Sequence, residues 1–327
     1  MQCMKKLVLR QNLAPAEAAG LMDRMIEGKY TPAQAAGYLT ALRMKGETRE
    51  EIAAFARAMR GHARTISPSA EPLVDTCGTG GDSSGTFNIS TAAAFIAAGS
   101  GVRIAKHGNR SVSSSSGSVD VLEEMGVKML EPDSVSRCIE TTGIGFMFAP
   151  LFHPAMKNVA PVRKELEMRT VFNILGPLAN PAGASAQVLG VFDPELTETM
   201  AHVLMDLGTK RALVVHSEGM DEIGLGITKM SELKDGRVET TLFDASSVGI
   251  ERWEVPKAGS KAESAGIIIE LLKAKLGPAR SIACLNAAAA IYVAEKAESI
   301  REGLVMARLS IDSTAAWNKL LQVRRFE

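Results

Sequence analysis

The chain has 327 residues, and its 37 basic and 37 acidic side chains balance to a formal charge of zero. This balance provides no basic excess for a nucleic-acid or anionic-membrane surface. No apolar run reaches the roughly 18 residues that a bilayer span requires, and no signal-like apolar segment stands at the N-terminus. The cysteines are scattered without a C-x-x-C pair, which favours reduced thiols over disulfides or zinc. We expect a cytoplasmic protein, and the length favours two domains.

The N-terminal residues 1–66 predict short amphipathic helices and no strands. Apolar residues recur at helical spacing through positions 18–26, and capping boxes open two further helices at Thr31–Gln34 and Thr48–Glu51. Such short helices have little to bury alone. We therefore expect residues 1–66 to form a helical domain that packs on the rest of the chain or on a partner subunit.

Beyond a boundary segment at residues 61–72, short β-rich runs alternate with helical stretches. The predicted strands are 73–75, 102–105, 127–130, 144–148, 187–192 and 212–216. The predicted helices are 91–98, 119–125, 133–142, 154–162 and 194–207, and helix returns from residue 261 onward. This alternation predicts an α/β domain over residues 67–327, with a mostly parallel central sheet flanked by helices. Anion sites in such sheets lie at the carboxyl ends of the strands.

A glycine-rich segment, DTCGTGGD at residues 75–82, follows the first predicted strand. Its glycines allow backbone N–H groups to approach a ligand closely, and the polar residues 86–91 then open an alanine-rich helix whose N-terminus favours anions. The segment is not a dinucleotide fingerprint, because position 83 is Ser83, and it is not a Walker A loop. A glycine-rich turn alone is equally compatible with a purely structural role. The interpretation we favour is a phosphate cradle.

Two further polar segments end predicted strands. Residues 106–118 combine cations, hydroxyls and glycines, although a solvated surface loop has a similar composition. Within this segment, we expect His107 to resist protonation because Lys106 and Arg110 flank it. Asp221 and Glu222 suit a hard cation such as Mg²⁺, although adjacent acids after a strand also serve as helix caps.

These motifs together resemble the anthranilate phosphoribosyltransferase family, which is grouped with the pyrimidine nucleoside phosphorylases. The resemblance covers nearly the whole chain. The matching motifs are GTGGD at 78–82, NIST at 88–91, KHGNR at 106–110, SGS at 116–118, HPAMK at 153–157, VRKEL at 162–166, RTVFNILGPL at 169–178 and DE at 221–222.

The resemblance implies transfer of phosphoribose from 5-phosphoribosyl 1-pyrophosphate (PRPP) to the amino group of anthranilate, as a step of tryptophan biosynthesis. It implies an active site in a cleft between the two domains, with the helical domain completed by a helix near residues 164–172. It also implies a homodimer formed through the helical domain. We expect apolar stripes at residues 21–26 or 38–42 to provide the dimer contacts, and we expect no nucleic-acid or membrane partner.

The same resemblance assigns site residues. The implied PRPP site comprises Gly78, Gly81, Asp82, Thr86, Asn88, Ile89, Ser90, Thr91, Lys106, His107, Gly108, Asn109, Arg110, Ser111, Val112, Ser113, Ser114 and Ser118. The implied anthranilate site comprises Gly78, Asn109 and Arg163, and two Mg²⁺ ions are placed by Ser90, Asp221 and Glu222. No general acid or base is assigned, because an aromatic amine is already neutral near pH 7.

Two other functions remain open at this point. A pyrimidine nucleoside phosphorylase would share the architecture, although residues 106–110 and 162–166 match the anthranilate branch better. A non-catalytic nucleic-acid-binding relative would need a basic groove, which the zero net charge disfavours. One residue departs from the family pattern: Ser115 stands where many relatives carry a basic residue, and we expect weaker PRPP binding from this change.

Overall fold

The computed structural model describes residues 2–69, 71–82, 84–110 and 117–326. The N-terminal helices are α1 (Gln2–Val8), α2 (Pro15–Ile26), α3 (Pro32–Lys45) and α4 (Arg49–Gly61). The strands are β1 (Leu73–Gly78), β2 (Arg103–Gly108), β3 (Ile144–Phe148), β4 (Ala186–Gly190), β5 (Arg211–His216), β6 (Ile227–Lys234) and β7 (Arg237–Asp244).

The later helices surround these strands. They are α5 (Ile89–Gly99), α6 (Ser118–Glu124), α7 (Pro132–Thr142), α8 (Ala149–Phe152), α9 (Ala160–Leu166), α10 (Phe172–Leu175), α11 (Leu196–Asp206), α12 (Lys261–Leu272), α13 (Pro278–Val293), α14 (Ile300–Asp312) and α15 (Ala315–Arg325). None of the helices in the described part of the chain is long and apolar enough to cross a lipid bilayer.

One seven-stranded sheet organises the large domain, with the strand order β3-β2-β1-β4-β5-β6-β7. The strands from β3 to β5 run parallel, whereas β6 and β7 are added antiparallel at one edge. The sheet is covered by helices on both faces: the alanine-rich α5 and α13 pack in the larger core on one face, and α11 packs in the second core on the other. This confirms the predicted α/β class with a mostly parallel central sheet.

The capping boxes predicted for α3 and α4 are both formed. The side chain of Thr31 accepts from the N–H of Gln34, and that of Thr48 accepts from the N–H of Glu51. The apolar stripes at residues 21–26 and 38–42 are buried within the subunit. The expectation that these stripes form dimer contacts was therefore wrong, because the helices use them to pack on one another and on the large domain.

Helix α4 links the helical domain to the large domain. Arg49 forms a bidentate ion pair with Asp206 of α11, with both N–O distances at 2.6 Å. Arg60 donates from Nε to the carbonyl of Leu178 at 2.7 Å. Apolar side chains of the N-terminal helices, of α11 and of one sheet face form a shared core. The N-terminal helices therefore pack on the large domain, which is the first of the two alternatives expected from the sequence.

Four details of the prediction differ from the structure. Residues 127–130 are irregular, because Val127 fills the core at the end of a helix without pairing to a strand. The helix expected at 154–162 is a 3₁₀ turn (Pro154–Asn158) followed by α9. The helix expected near residues 164–172 is interrupted between α9 and α10, where Glu167 adopts a left-handed conformation. The β6–β7 hairpin was not predicted.

Candidate active site

The glycine-rich loop leaves the sheet at the end of β1. Gly80 and Gly81 both have a φ of 70°, in the left-handed region that side chains other than glycine rarely adopt. Thr79 fastens the loop to β4, since its N–H donates to the carbonyl of Gly190 at 2.9 Å and its Oγ1 accepts from the N–H of Phe192 at 3.0 Å. The loop is thus a turn attached to β4, without side chains at its tip.

Asp221 is seated above two paired glycines at the carboxyl ends of β1 and β4. Gly78 and Gly190 face each other in the sheet register. A Cβ atom added to Gly78 would lie 2.2 Å from Asp221 Oδ2, and one added to Gly190 would lie 1.5 Å from the Asp221 carbonyl oxygen. The Asp221 carboxylate accepts from the N–H of Gly80 at 2.7 Å. Two strand-end glycines therefore make the space in which this carboxylate meets the loop.

Three carboxylates gather at this seat. The N–H of Asp221 donates to Asp82 Oδ2 at 3.4 Å, and Glu222 Oε1 accepts from the N–H of Ser90 in the first turn of α5 at 3.0 Å. Burial raises the pKa of Asp221 to about 6, and repulsion from Asp82 adds to this shift. Burial and repulsion from Asp221 raise the pKa of Glu222 to about 8. The cluster is therefore electrostatically suited to accept a cation.

The pairing between β1 and β2 stops after Val74 and Ile104, and side chains then connect the two strands. Asp75, which is fully buried, accepts from the N–H of His107 at 3.2 Å and from Asn180 Nδ2 at 2.7 Å. Burial raises the pKa of Asp75 to about 6, although the neighbouring ammonium of β2 opposes this shift. The two strands therefore separate toward their carboxyl ends, which leaves an opening between them.

Lys106 fills this opening and directs its ammonium toward α5. It is only 3% exposed, and its Nζ donates to the carbonyl of Thr76 and to Ser90 Oγ, the latter at 3.1 Å. Its positive charge favours the ionised form of Glu222. A buried lysine between β1, α5 and a carboxylate cluster is a suitable contact for a phosphorylated ligand.

His107 lies on the other side of β2 and is buried against His153, with 5.1 Å between the ring centroids. Burial lowers the pKa of His107 to about 3, and His153 and Lys106 contribute smaller effects. The predicted resistance to protonation is confirmed, although burial outweighs the neighbouring charges. A Cβ added to Gly108 would lie 2.2 Å from Ser118 Oγ, so a side chain there would force this hydroxyl to rotate away.

Asn109 and Arg110, which directly follow β2, are exposed. Arg110 pairs with Glu123 of α6 through two N–O contacts of 2.6 Å, and Asn109 accepts from Ser118 Oγ through its main-chain carbonyl at 3.4 Å. The predicted residues Ser111, Val112, Ser113 and Ser114 lie outside the described residues, as does Ser115.

The remaining predicted residues are distributed around α5 and α9. Thr91 donates to Asn88 Oδ1 at the start of α5, whereas Ile89 points into the core, so only its backbone is available to a ligand. Thr86 pairs with Lys257 through an isolated antiparallel β-bridge of the main chain.

Arg163 lies on α9, half-buried, with its guanidinium 5.3 Å from the Phe172 ring centroid. Burial lowers its pKa, and no acidic side chain within the described ranges offsets this shift. A guanidinium left without a carboxylate partner is suited to bind the carboxylate of a ligand.

Several residues of the site were missed by the sequence reasoning. Gly190 could have been suspected as a glycine at a strand end, but nothing in the sequence indicates that Asp221 approaches it. Asn180 and Asp75 form the buried link between β1 and β2, and Arg169 donates to the carbonyl of Gly81. These contacts join residues 105 and 88 positions apart, and only the folded chain reveals them.

This geometry gathers hydrogen-bond donors, a buried ammonium and three carboxylates at the carboxyl ends of parallel strands, an arrangement suited to a phosphorylated ligand and a hard cation. The α/β domain of a glycosyl transferase family matches residues 70–317, and the helical bundle domain of a glycosyl transferase family matches residues 1–63.

The chain is similar along its whole length to named enzymes. The anthranilate phosphoribosyltransferase of Methanocorpusculum labreanum is 52% identical over 324 residues, which cover 98% of this chain and 95% of the relative. The crystal structure of the Thermus thermophilus enzyme of the same name has a TM-score of 0.95 and 45% identity, and covers 100% of this chain and 99% of its own.

The Saccharomyces cerevisiae anthranilate phosphoribosyltransferase, solved with PRPP and Mg, has a TM-score of 0.90 and 27% identity, and covers 98% of this chain and 96% of its own. The chain therefore belongs to the glycosyl transferase family and, within it, to the anthranilate phosphoribosyltransferases.

Proposed function

We propose that the chain transfers the phosphoribosyl group of PRPP to the amino group of anthranilate and releases pyrophosphate. The observation that carries the proposal lies at the carboxyl ends of the central strands. There the glycine-rich loop and Lys106 meet three carboxylates, those of Asp82, Asp221 and Glu222. Relatives along the full length of the chain bear the name of this activity.

The PRPP site we propose follows the glycine-rich loop, the start of α5 and the segment that begins at Lys106. Backbone N–H groups and hydroxyls around Ser90 and Thr91 would bind phosphate oxygens, while Lys106 supplies a fixed positive charge. Arg110 is paired with Glu123, so it would exchange this carboxylate for a phosphate to reach the donor.

Ser90, Asp221 and Glu222 would hold Mg²⁺, and we infer two ions for each subunit. Among the described residues, no three histidine, cysteine or acidic side chains form a ready-made metal cage. This agrees with a cation held by one or two carboxylates together with substrate phosphates. The raised pKa values of the crowded acids fit this role. Mg²⁺, when bound, neutralises negative charge on the leaving pyrophosphate.

Arg163 would orient anthranilate by pairing with its carboxylate, with Asn109 and Gly78 bordering the ring. Because the aromatic amine is neutral near pH 7, it attacks without a strong general base. The chain's contribution is then to position the amine and to stabilise the departure of pyrophosphate through hydrogen-bond donors and the charge of Lys106.

We also infer that two copies associate through the helical domain. Val8, Leu9 and Met44 support this, because each is at least 68% exposed and they lie at the ends of the contacting helices α1 and α3. Sedimentation of the wild-type protein and of a Val8→Asp variant tests the inference. A monomeric wild-type protein would contradict it, and a monomeric variant of a dimeric protein would support it.

The activity is tested by following the fluorescence of anthranilate after PRPP is added, first with Mg²⁺ and then with EDTA. The proposal expects a loss of fluorescence that requires PRPP and stops when EDTA removes the metal. A folded protein that leaves anthranilate unchanged but cleaves thymidine or uridine with phosphate would contradict it and would indicate a nucleoside phosphorylase.

A further inference from the structure

Arg169 is the first residue of the RTVFNILGPL motif, and it has no role in the substrate and metal sites proposed above. It lies in the segment between α9 and α10, and its Nη2 donates to the carbonyl of Gly81 in the glycine-rich loop. Its guanidinium also lies 3.7 Å from the ring centroid of Phe192, directly beyond β4. A cation stacked on an aromatic face and bound to a carbonyl is held at two points.

The position of Arg169 is not explained by stability alone. Its Nη1 is buried and has no hydrogen-bond partner among the described residues. A buried N–H of a charged group without a partner opposes folding, and such a group in a native protein usually has a functional reason. Arg169 therefore occupies this place despite an energetic cost.

The contact of Arg169 completes the attachment of the loop. Thr79 is bound to β4 and Gly80 to the carboxylate of Asp221, so both orient the first half of the loop. Gly81, with its left-handed backbone, is held by Arg169. Because a trans peptide is planar, a carbonyl of Gly81 that points toward Arg169 turns the N–H of Asp82 to the opposite side.

We propose that Arg169 is a positioning residue for the donor substrate, which sets the orientation of the Gly81–Asp82 peptide in the phosphate-binding loop. This inference rests on the proposed function and specifies how the PRPP site is kept in shape. Arg169 follows α9, the helix that carries Arg163, so the loop that would bind the donor is held from the side of the proposed acceptor site. Phe192 is the platform that keeps the guanidinium in place.

The test compares Arg169→Met, Arg169→Lys and Phe192→Leu with the wild-type protein. Met168→Ala is the matched control, because Met168 is the adjacent residue and is 37% exposed. Steady-state kinetics give KM for each substrate, and thermal unfolding gives Tm. Losing one charge-assisted hydrogen bond in Arg169→Met should raise KM for PRPP about 10- to 100-fold.

The other readouts separate positioning from a general loss of structure. KM for anthranilate should change less than about 2-fold in Arg169→Met, and Tm should remain within about 3 °C of wild type. Arg169→Lys should recover part of the PRPP affinity, since an ammonium still donates to the carbonyl. Phe192→Leu should raise KM for PRPP by a smaller factor, and Met168→Ala should match wild type.

An unchanged KM for PRPP in folded Arg169→Met would overturn the proposal, as would an equal rise in both KM values. If Arg169→Met does not fold, Phe192→Leu decides, and an unchanged KM for PRPP in that variant would overturn the proposal. An inactive wild-type protein would instead refute the proposed function itself, so the two failures are distinguishable.

Discussion

Replacing Gly190 by alanine should remove activity while leaving the fold in place. The added Cβ would lie 1.5 Å from the carbonyl oxygen of Asp221, 2.3 Å from its carbonyl carbon and 3.0 Å from its Cα. Since ordinary contacts begin near 3.4 Å, the backbone of Asp221 must move by about 2 Å. A displacement of about 1 Å at a catalytic site can cost roughly 100-fold in rate. We therefore expect kcat/KM to fall at least about 100-fold.

The stability cost of Gly190→Ala should leave the protein folded at the temperature of the assay. Overpacking of this kind typically costs about 1–3 kcal/mol, which corresponds to a fall of a few degrees in Tm. Gly266→Ala is the control, because nothing lies within 4 Å of a Cβ added at that position in α12. The assay is the loss of anthranilate fluorescence, with thermal unfolding measured on the same samples. Wild-type kcat/KM in folded Gly190→Ala would refute the proposed role of the Asp221 seat.

The remaining predictions concern single side chains. Gly78→Ala displaces only the carboxylate end of Asp221, so in a Mg²⁺ titration of activity it should raise the Mg²⁺ concentration needed for half-maximal rate; an unchanged titration would contradict this. Glu222→Gln keeps the side-chain shape but removes its charge, and we expect kcat to fall at least about 10-fold; normal turnover at saturating Mg²⁺ would argue against metal binding there. Arg163→Ala should raise KM for anthranilate about 10- to 100-fold with little change for PRPP, and an effect confined to PRPP would reverse the assignment. Because burial lowers the pKa of His107 from 6.5 to about 3, its contribution to stability is complete above pH 6.5 and is lost as the pH falls toward 3. Denaturant unfolding between these pH values should show a slope about 1.4 kcal/mol per pH unit steeper in wild type than in His107→Gln, whereas parallel profiles would contradict the shift.

Local signals in the sequence identify much of the fold. The capping boxes of α3 and α4 form as predicted, because a cap involves residues only three positions apart. The β6–β7 hairpin also has a local signal in the sequence, the pair Asp235-Gly236 between its strands. Both residues have positive φ in the structure, as a tight two-residue turn requires. The irregular segment at residues 127–130 shows the opposite error, since apolar residues can fill a core without joining a sheet.

The site divides in the same way between local and long-range information. The glycine-rich loop and the acids at residues 221–222 stand at strand ends, where a parallel sheet gathers ligand-binding groups. The contacts that shape them are long-range, such as Asn180 to Asp75 and Arg169 to Gly81. They depend on how strands and domains pack, which no local pattern encodes.

The most direct test of the account is to follow the phosphorus NMR spectrum of PRPP with the wild-type protein and Mg²⁺, with and without anthranilate. One pyrophosphate should be released for each anthranilate consumed, and both changes should stop when EDTA is added. Pyrophosphate release at the same rate without anthranilate, or unchanged PRPP with both substrates and Mg²⁺ present, would contradict it.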